Sequence, residues 1–198
     1  MKPQAIALAQ TRLARARRAC EAAHKQLPYK DSPAGDSFRE QWDSFLVAAS
    51  AIFSKLEQGA KGHGKSDVWF GLKKEERAND ELLRYIKQAR NIEEHSVMES
   101  VEQHGLRLVP DNPYTKVVSD GSDGKPVQVS YEVGKPFSMR VLHPGPYLLP
   151  VINRGVTFNP PSKHLGEPMP DQRPITVMKL ALAYLEKMID EAKALPPH

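Results

Sequence analysis

Arg90, Asn91 and His95, in the stretch YIKQARNIEEHS at 85–96, are residue types that move protons and hold phosphates. An imidazole with a pKa near neutrality can give or take a proton. A guanidinium can hold charge developing on a phosphoryl group, and an amide can orient the reacting atoms. The same stretch carries an apolar stripe of Leu82, Tyr85, Ile86, Ala89 and Ile92, spaced for one face of a helix. With Ala89 at zero, a helical wheel puts Arg90 at about 100°, Glu93 at about 40° and His95 at about −120°. Arg90 and His95 therefore share no face of a straight helix, and joint action needs a bend or a second copy of the chain. Glu93 points close to the apolar face, where a lone carboxylate is costly, and Arg90 three residues earlier is its expected partner.

A second group of chemistry-bearing residues lies near the start. Residues 1–30 hold seven Lys and Arg against Glu21 alone among acids, although the whole chain carries only +4. Arg12, Arg15, Arg17 and Arg18 fall within this run and form a candidate phosphate-binding face, whose alternative is a solvated helix surface. The string GAKGHGKS, Gly59 to Ser66, matches the phosphate-loop pattern. It follows SKLEQ, which is polar and continues a helical stripe, so it lacks the buried strand that such a loop needs and no nucleotide is expected there. The histidines are scattered without metal-ligand spacing, and no cofactor or metal is expected. Lys163-His164-Leu165-Gly166 follows two prolines and reads either as the lining of a site or as plain loop. The single cysteine, Cys20, excludes an internal disulfide and lies in a helical seam. With no apolar run near the roughly 20 residues that span a bilayer, the expectation is a cytoplasmic protein without a membrane partner.

The elements that must position these residues read as α+β. Ile6, Ala9, Leu13, Ala16, Cys20, Ala23 and Leu27 make one small-residue stripe on a first helix that Pro28 stops. A second helix is expected to start at Ser37, where S-F-R-E matches a capping box, and to bury Phe38, Trp42, Phe45, Leu46, Ala49, Ile52, Phe53 and Leu56. A short helix around Val68, Trp69 and Leu72 follows, then a strong one from Asp80 to about Val97. Residues 1–105 thus form a helical bundle. Twelve of the seventeen prolines fall between 110 and 174, so 106–170 is expected to be β-rich. Alternation through Val127, Val129, Tyr131 and Val133, and through Phe137, Met139 and Val141, predicts an antiparallel meander, with a further hairpin at Asn153-Arg154-Gly155. From 171 to 198, Pro174 opens a last amphipathic helix that packs back on the rest.

The hexapeptide RNIEEH resembles the R-x(4-6)-H motif of HEPN proteins, in which asparagine often follows the arginine. That resemblance implies a helical bundle, a composite cleft between two protomers, and in many members a metal-independent ribonuclease of toxin or antiphage type. It implies that His95 handles the 2′-hydroxyl or leaving-group proton, Arg90 stabilises the phosphate and Asn91 orients the site. Glu93 and Glu94 stand where apolar residues are usual and weaken attraction for RNA. Two functions follow: a homodimeric ribonuclease acting on RNA, or a non-catalytic module of the same fold that binds protein or nucleic acid. Trp69, the segment DELLRYIKQARNIEEH and PPSKHLG are together similar to uncharacterised bacterial proteins of this size.

Overall fold

The computed structural model describes residues 1–26, 35–95, 98–104, 107–119, 127–142 and 144–197, and the side chains of residues 35, 36, 95, 104, 107, 119 and 142 lie outside that description. The expected stops and turns at Leu27, Pro28, Val97 and within 120–126 fall outside it too. The fold is α+β. Its helices are α1 (Pro3–Gln26), α2 (Gly35–Ala60), α3 (Gly64–Asn79), α4 (Glu81–His95) and α5 (Pro174–Lys193). Its strands are β1 (Val101–His104), β2 (Arg107–Pro110), β3 (Thr115–Ser119), β4 (Gln128–Tyr131), β5 (Met139–Leu142), β6 (Gly145–Leu148), β7 (Val151–Asn153), β8 (Val156–Phe158), β9 (Lys163–His164) and β10 (Glu167–Pro168).

The chain divides into two compact units. The first comprises Met1–Glu102 and Tyr147–His198, so it joins all five helices to the stretch from β7 to β10. In α1 the buried residues are Ala5, Ala9, Leu13, Ala16, Ala19, Cys20 and Ala23. Their small size lets α2 lie close along α1 and bring Trp42, Phe45, Leu46, Ile52 and Leu56 into the core, all at 1% exposure or less. Gly59 marks a close approach: Lys2 N–H donates to its carbonyl at 3.1 Å, and a Cβ there would run into that of Ala5. Burial raises the Cys20 thiol above its ordinary pKa, as befits a packed side chain. Pro174 opens α5 where a missing N–H does no harm, and Ile175, Met178, Leu185, Ile189 and Ala192 face the core.

Three expectations are corrected here. α2 begins at Gly35, two residues before Ser37, whose hydroxyl instead accepts from Gln26 Nε2. α3 runs for 16 residues with Phe70, Ser66 and Lys73 inward, leaving Val68 and Leu72 exposed. Aliphatic carbons of Lys73 can line that apolar face because its ammonium reaches Glu76 and Glu191 beyond it. The third concerns the second unit, Gln103–Pro146, whose described strands pair in a nest rather than in the expected meander. β2 pairs with β5 and β3 with β4, all antiparallel, so the inner hairpin is nested within the outer pair. β1 and β6 also pair. The expected hairpin at Asn153-Arg154-Gly155 is β7–β8, with Arg154 at φ 51° and Gly155 at φ 78° as a two-residue turn of right-handed twist requires.

Candidate functional site

Helix α4 carries the motif, and carboxylates fix both its ends. At its start Asp80 acts as N-cap, Oδ1 accepting from Leu83 N–H at 2.8 Å. The same carboxylate accepts from His164 Nδ1 at 3.0 Å and from Leu165 N–H at 2.6 Å. Burial alone would raise the Asp80 carboxyl, but these bonds outweigh it and hold the group below its ordinary pKa. Next to it Glu81 Oε2 accepts from Ser162 N–H, Ser162 Oγ and Lys163 N–H at 2.9 to 3.1 Å. The backbone bond from Ser162 leads the causes that depress its pKa. The segment around β9 is thereby pinned to α4, and His164 rests edge-on against Tyr184 at 5.9 Å. Tyr184 in turn donates to Glu76 at 2.7 Å, which Lys73 bridges to Glu191. Burial would lower the Lys73 ammonium, yet its bonds to Glu191 and Glu76 leave it raised.

Between α4, this pinned segment and the β7–β8 hairpin runs a polar groove with two hollows. One, of about 500 Å³, is lined by Glu81, Arg84, Tyr85, Phe158, Ser162 and Gln172 among others. The other, of about 680 Å³, is lined by Lys87, Gln88, Asn91, Asn153, Arg154, Val156 and Phe158. Val156 and Phe158 belong to both. Asn153 Nδ2 donates to Gln88 Oε1 at 2.7 Å and ties the hairpin to the helix.

At the other end of α4 the motif residues diverge. Asn91 faces the second hollow. Arg90 does not line that hollow; it pairs with Glu94 one turn on, and its Nε is buried without a hydrogen-bond partner among the described residues. The expected Arg90–Glu93 pair is therefore corrected. Glu93 Oε1 accepts from Ser100 N–H at 2.8 Å and Ser100 Oγ at 2.6 Å, which ties the end of α4 to Ser100. Ser100 Oγ also accepts from Trp42 Nε1 at 2.8 Å, and Tyr85 OH donates to Leu149 O at 2.7 Å beside Ser100 O. Burial, then the nearby Glu93 charge, pushes the Asp43 carboxyl up to about 6 despite Arg39, with Glu99 adding to the rise. His95 ends α4, and its side chain lies outside the described residues.

The basic face of α1 splits in two. Arg17 pairs with Glu186 of α5 at 2.9 Å. Arg12, Arg15 and Arg18, each three residues apart, line a cleft of about 610 Å³ against Gln41, Asp43, Ser44 and Val47 of α2. None of these three forms an ion pair with a described residue. The Gly59–Ser66 string joins the end of α2 to the start of α3, with Ser66 buried. Among the described residues no cluster of His, Cys, Asp and Glu is arranged to hold a metal, and no helix is long and apolar enough to cross a membrane.

No protein-family model, curated protein or solved structure matches the chain.

The sequence reading missed Arg84, Lys87, Gln88, Arg154 and Phe158. One signal was present: Arg84, Lys87 or Gln88, and Asn91 recur at spacings of three and four, a stripe of cations and amides on α4 without an acid. Nothing local in the sequence brings Phe158 to that stripe.

Proposed function

We propose that the chain is a non-catalytic nucleic-acid-binding module of the cytoplasm that holds the backbone of single-stranded RNA on Arg12, Arg15 and Arg18. The observation that carries this reading is that the three guanidiniums stand one turn apart over a single cleft, without ion-pair partners among the described residues. Such a row matches successive phosphates, and its charge is available for counterion release. Two features favour it over a ribonuclease of the HEPN kind. The Arg90 charge is already met by Glu94, and the Glu93 and Glu99 carboxylates lie near that end of α4, whereas the described lining of the arginine cleft sets three arginines against one acid, Asp43. A phosphate would meet acids there.

The test is binding of a labelled single-stranded RNA as a function of salt. Three phosphate contacts give a slope of about −2 in log K against log salt. Replacing Arg12, Arg15 and Arg18 by Gln should bring that slope near zero, whereas Arg17→Gln, already committed to Glu186, should barely move it. His95→Ala should leave binding unchanged. RNA cleavage by the wild-type chain that His95→Ala abolishes would overturn the non-catalytic reading and restore the homodimeric ribonuclease.

A further inference from the structure

The groove along α4 has a lining unlike that of the arginine cleft. We propose that it binds a nucleotide, with the base against Phe158 and the phosphate on Lys87 and Arg154. The site goes beyond the reading above and does not depend on it.

Three observations converge on that chemistry. First, the charge is of one sign where it is free to act. Lys87 and Arg154 form no ion pair with a described residue, and Arg84 lies over the Phe158 ring at 5.9 Å. Among the described lining residues the one acid, Glu81, is engaged by three donors from 162 and 163. An anion is therefore the preferred guest. Second, the apolar surface shared by both hollows includes the Phe158 ring beside Val156, and the adjacent guanidinium is planar, so ring and guanidinium can stack on a base. Third, the remaining polar groups are amides. The bond from Asn153 Nδ2 to Gln88 Oε1 leaves Gln88 Nε2, Asn153 Oδ1 and the whole Asn91 amide to meet both donors and acceptors, as a base edge requires. Hollows of about 500 and 680 Å³ suit a guest of this size.

Arg154 adds an independent hint. It sits at φ 51°, a conformation that costs a non-glycine residue about 1 to 2 kcal/mol. A turn residue held there with its charge over the groove is a candidate for function rather than for stability.

A base carrying a phosphate could arrive as a free nucleotide or as part of a single strand, and titrations of the full-length chain separate the two. Isothermal titration with AMP and fluorescence anisotropy with a labelled RNA octamer are run on the wild type and on K87Q/R154G, F158L and R12Q/R15Q/R18Q. If the site takes free nucleotides, AMP binds one per chain, K87Q/R154G weakens it at least tenfold, and F158L weakens it by roughly tenfold through lost stacking. If it takes a strand, the octamer alone binds and loses affinity by the same factors in the same variants. R12Q/R15Q/R18Q leaves AMP binding intact, so failure of the arginine face and failure of this groove are read apart. The proposal is overturned if neither probe binds, or if K87Q/R154G leaves unchanged the affinity of every probe that does bind. Inorganic phosphate that competes as well as AMP would overturn the place given to the base.

Discussion

The two ends of α4 use the same side-chain chemistry to opposite effect. At the start, Asp80 and Glu81 accept six hydrogen bonds between them, and both carboxyls are held below their ordinary pKa. At the finish, Glu93 is also well used, but Asp43 beside it keeps a buried Oδ1 without a partner among the described residues, and its pKa is pushed up to about 6. The first end sits at a helix N-terminus, where exposed N–H groups and the macrodipole favour negative charge; the second is crowded by like charges. The difference shows what each end is suited for. Acids at the start are consumed in pinning 162–165 to α4, which builds one wall of the groove. At the finish Glu94 already meets the Arg90 charge, which leaves that arginine poorly suited to attract a phosphate.

The largest effect should come from the finish. Ser100 is fully buried and its hydroxyl links Trp42 to Glu93, so Ser100→Ala leaves an indole N–H without an acceptor and a carboxylate with one donor fewer. A loss of about 2 to 4 kcal/mol is expected in urea unfolding. A loss under 1 kcal/mol would mean that water replaces the hydroxyl.

Asp80→Ala should come next, at about 2 to 3 kcal/mol, combining a lost N-cap with the bonds to His164 and Leu165. Its pH dependence carries a sign. The Asp80 pKa is depressed in the folded chain, so its contribution is present above the ordinary carboxylate value and fades as pH falls through the lower, folded one. The deficit of Asp80→Ala against wild type should therefore be full at pH 7 and shrink below about pH 4. A deficit that stays constant down to pH 3 would show that only the cap geometry matters.

These networks also show where the sequence was readable. The apolar stripes of α1, α2, α4 and α5 were legible because a helix face repeats at a fixed spacing, and their described members are buried save Ile6 and Leu182, which are partly so. The turn at Asn153-Arg154-Gly155 was legible because its backbone demands are local. Partner choice was not. Glu93 had Arg90 within one turn, yet took Ser100, seven residues on, whose backbone N–H and buried hydroxyl both donate to it. Asp80 and His164 meet across 84 residues, a distance that only the packing of β9 on α4 closes. The strand nest hid its register for a related reason. Val127, Tyr131, Val133, Phe137 and Val141 are all exposed, so no buried face selected a meander over nested hairpins. The candidate site was half visible: Asn91 and the arginines of α1 could be named, while Phe158 reached the groove only through the fold.

Asp43→Asn should move stability the other way, and by less. A carboxyl raised to about 6 binds its proton more tightly in the folded chain, so folding loses stability as pH climbs from about 4 to about 6 and recovers none of it above. The amide removes that charge, and a gain of about 1 to 2 kcal/mol is expected at pH 7.5 once solvent screening is allowed for. The gain should be small at pH 4 and complete above pH 6.5. An equal gain at both values would place its cause in the amide's hydrogen bonding rather than in the like charges at this end.

The smallest effect concerns the groove wall at the start of the comparison. Arg154→Gly removes a side chain from a left-handed backbone position, relieving about 1 to 2 kcal/mol, and adds freedom to the unfolded chain worth about 0.5 to 1 kcal/mol. The net expectation is a gain of a few tenths of a kcal/mol, read as a slight rise in the unfolding midpoint. A residue that stabilised its own turn would show the reverse, and a loss above 1 kcal/mol would mean that Arg154 holds the hairpin together. A small gain in stability combined with weaker nucleotide binding would separate the two roles. The hairpin would then owe its shape to Gly155 and the ladder, and Arg154 would owe its place to what the groove receives.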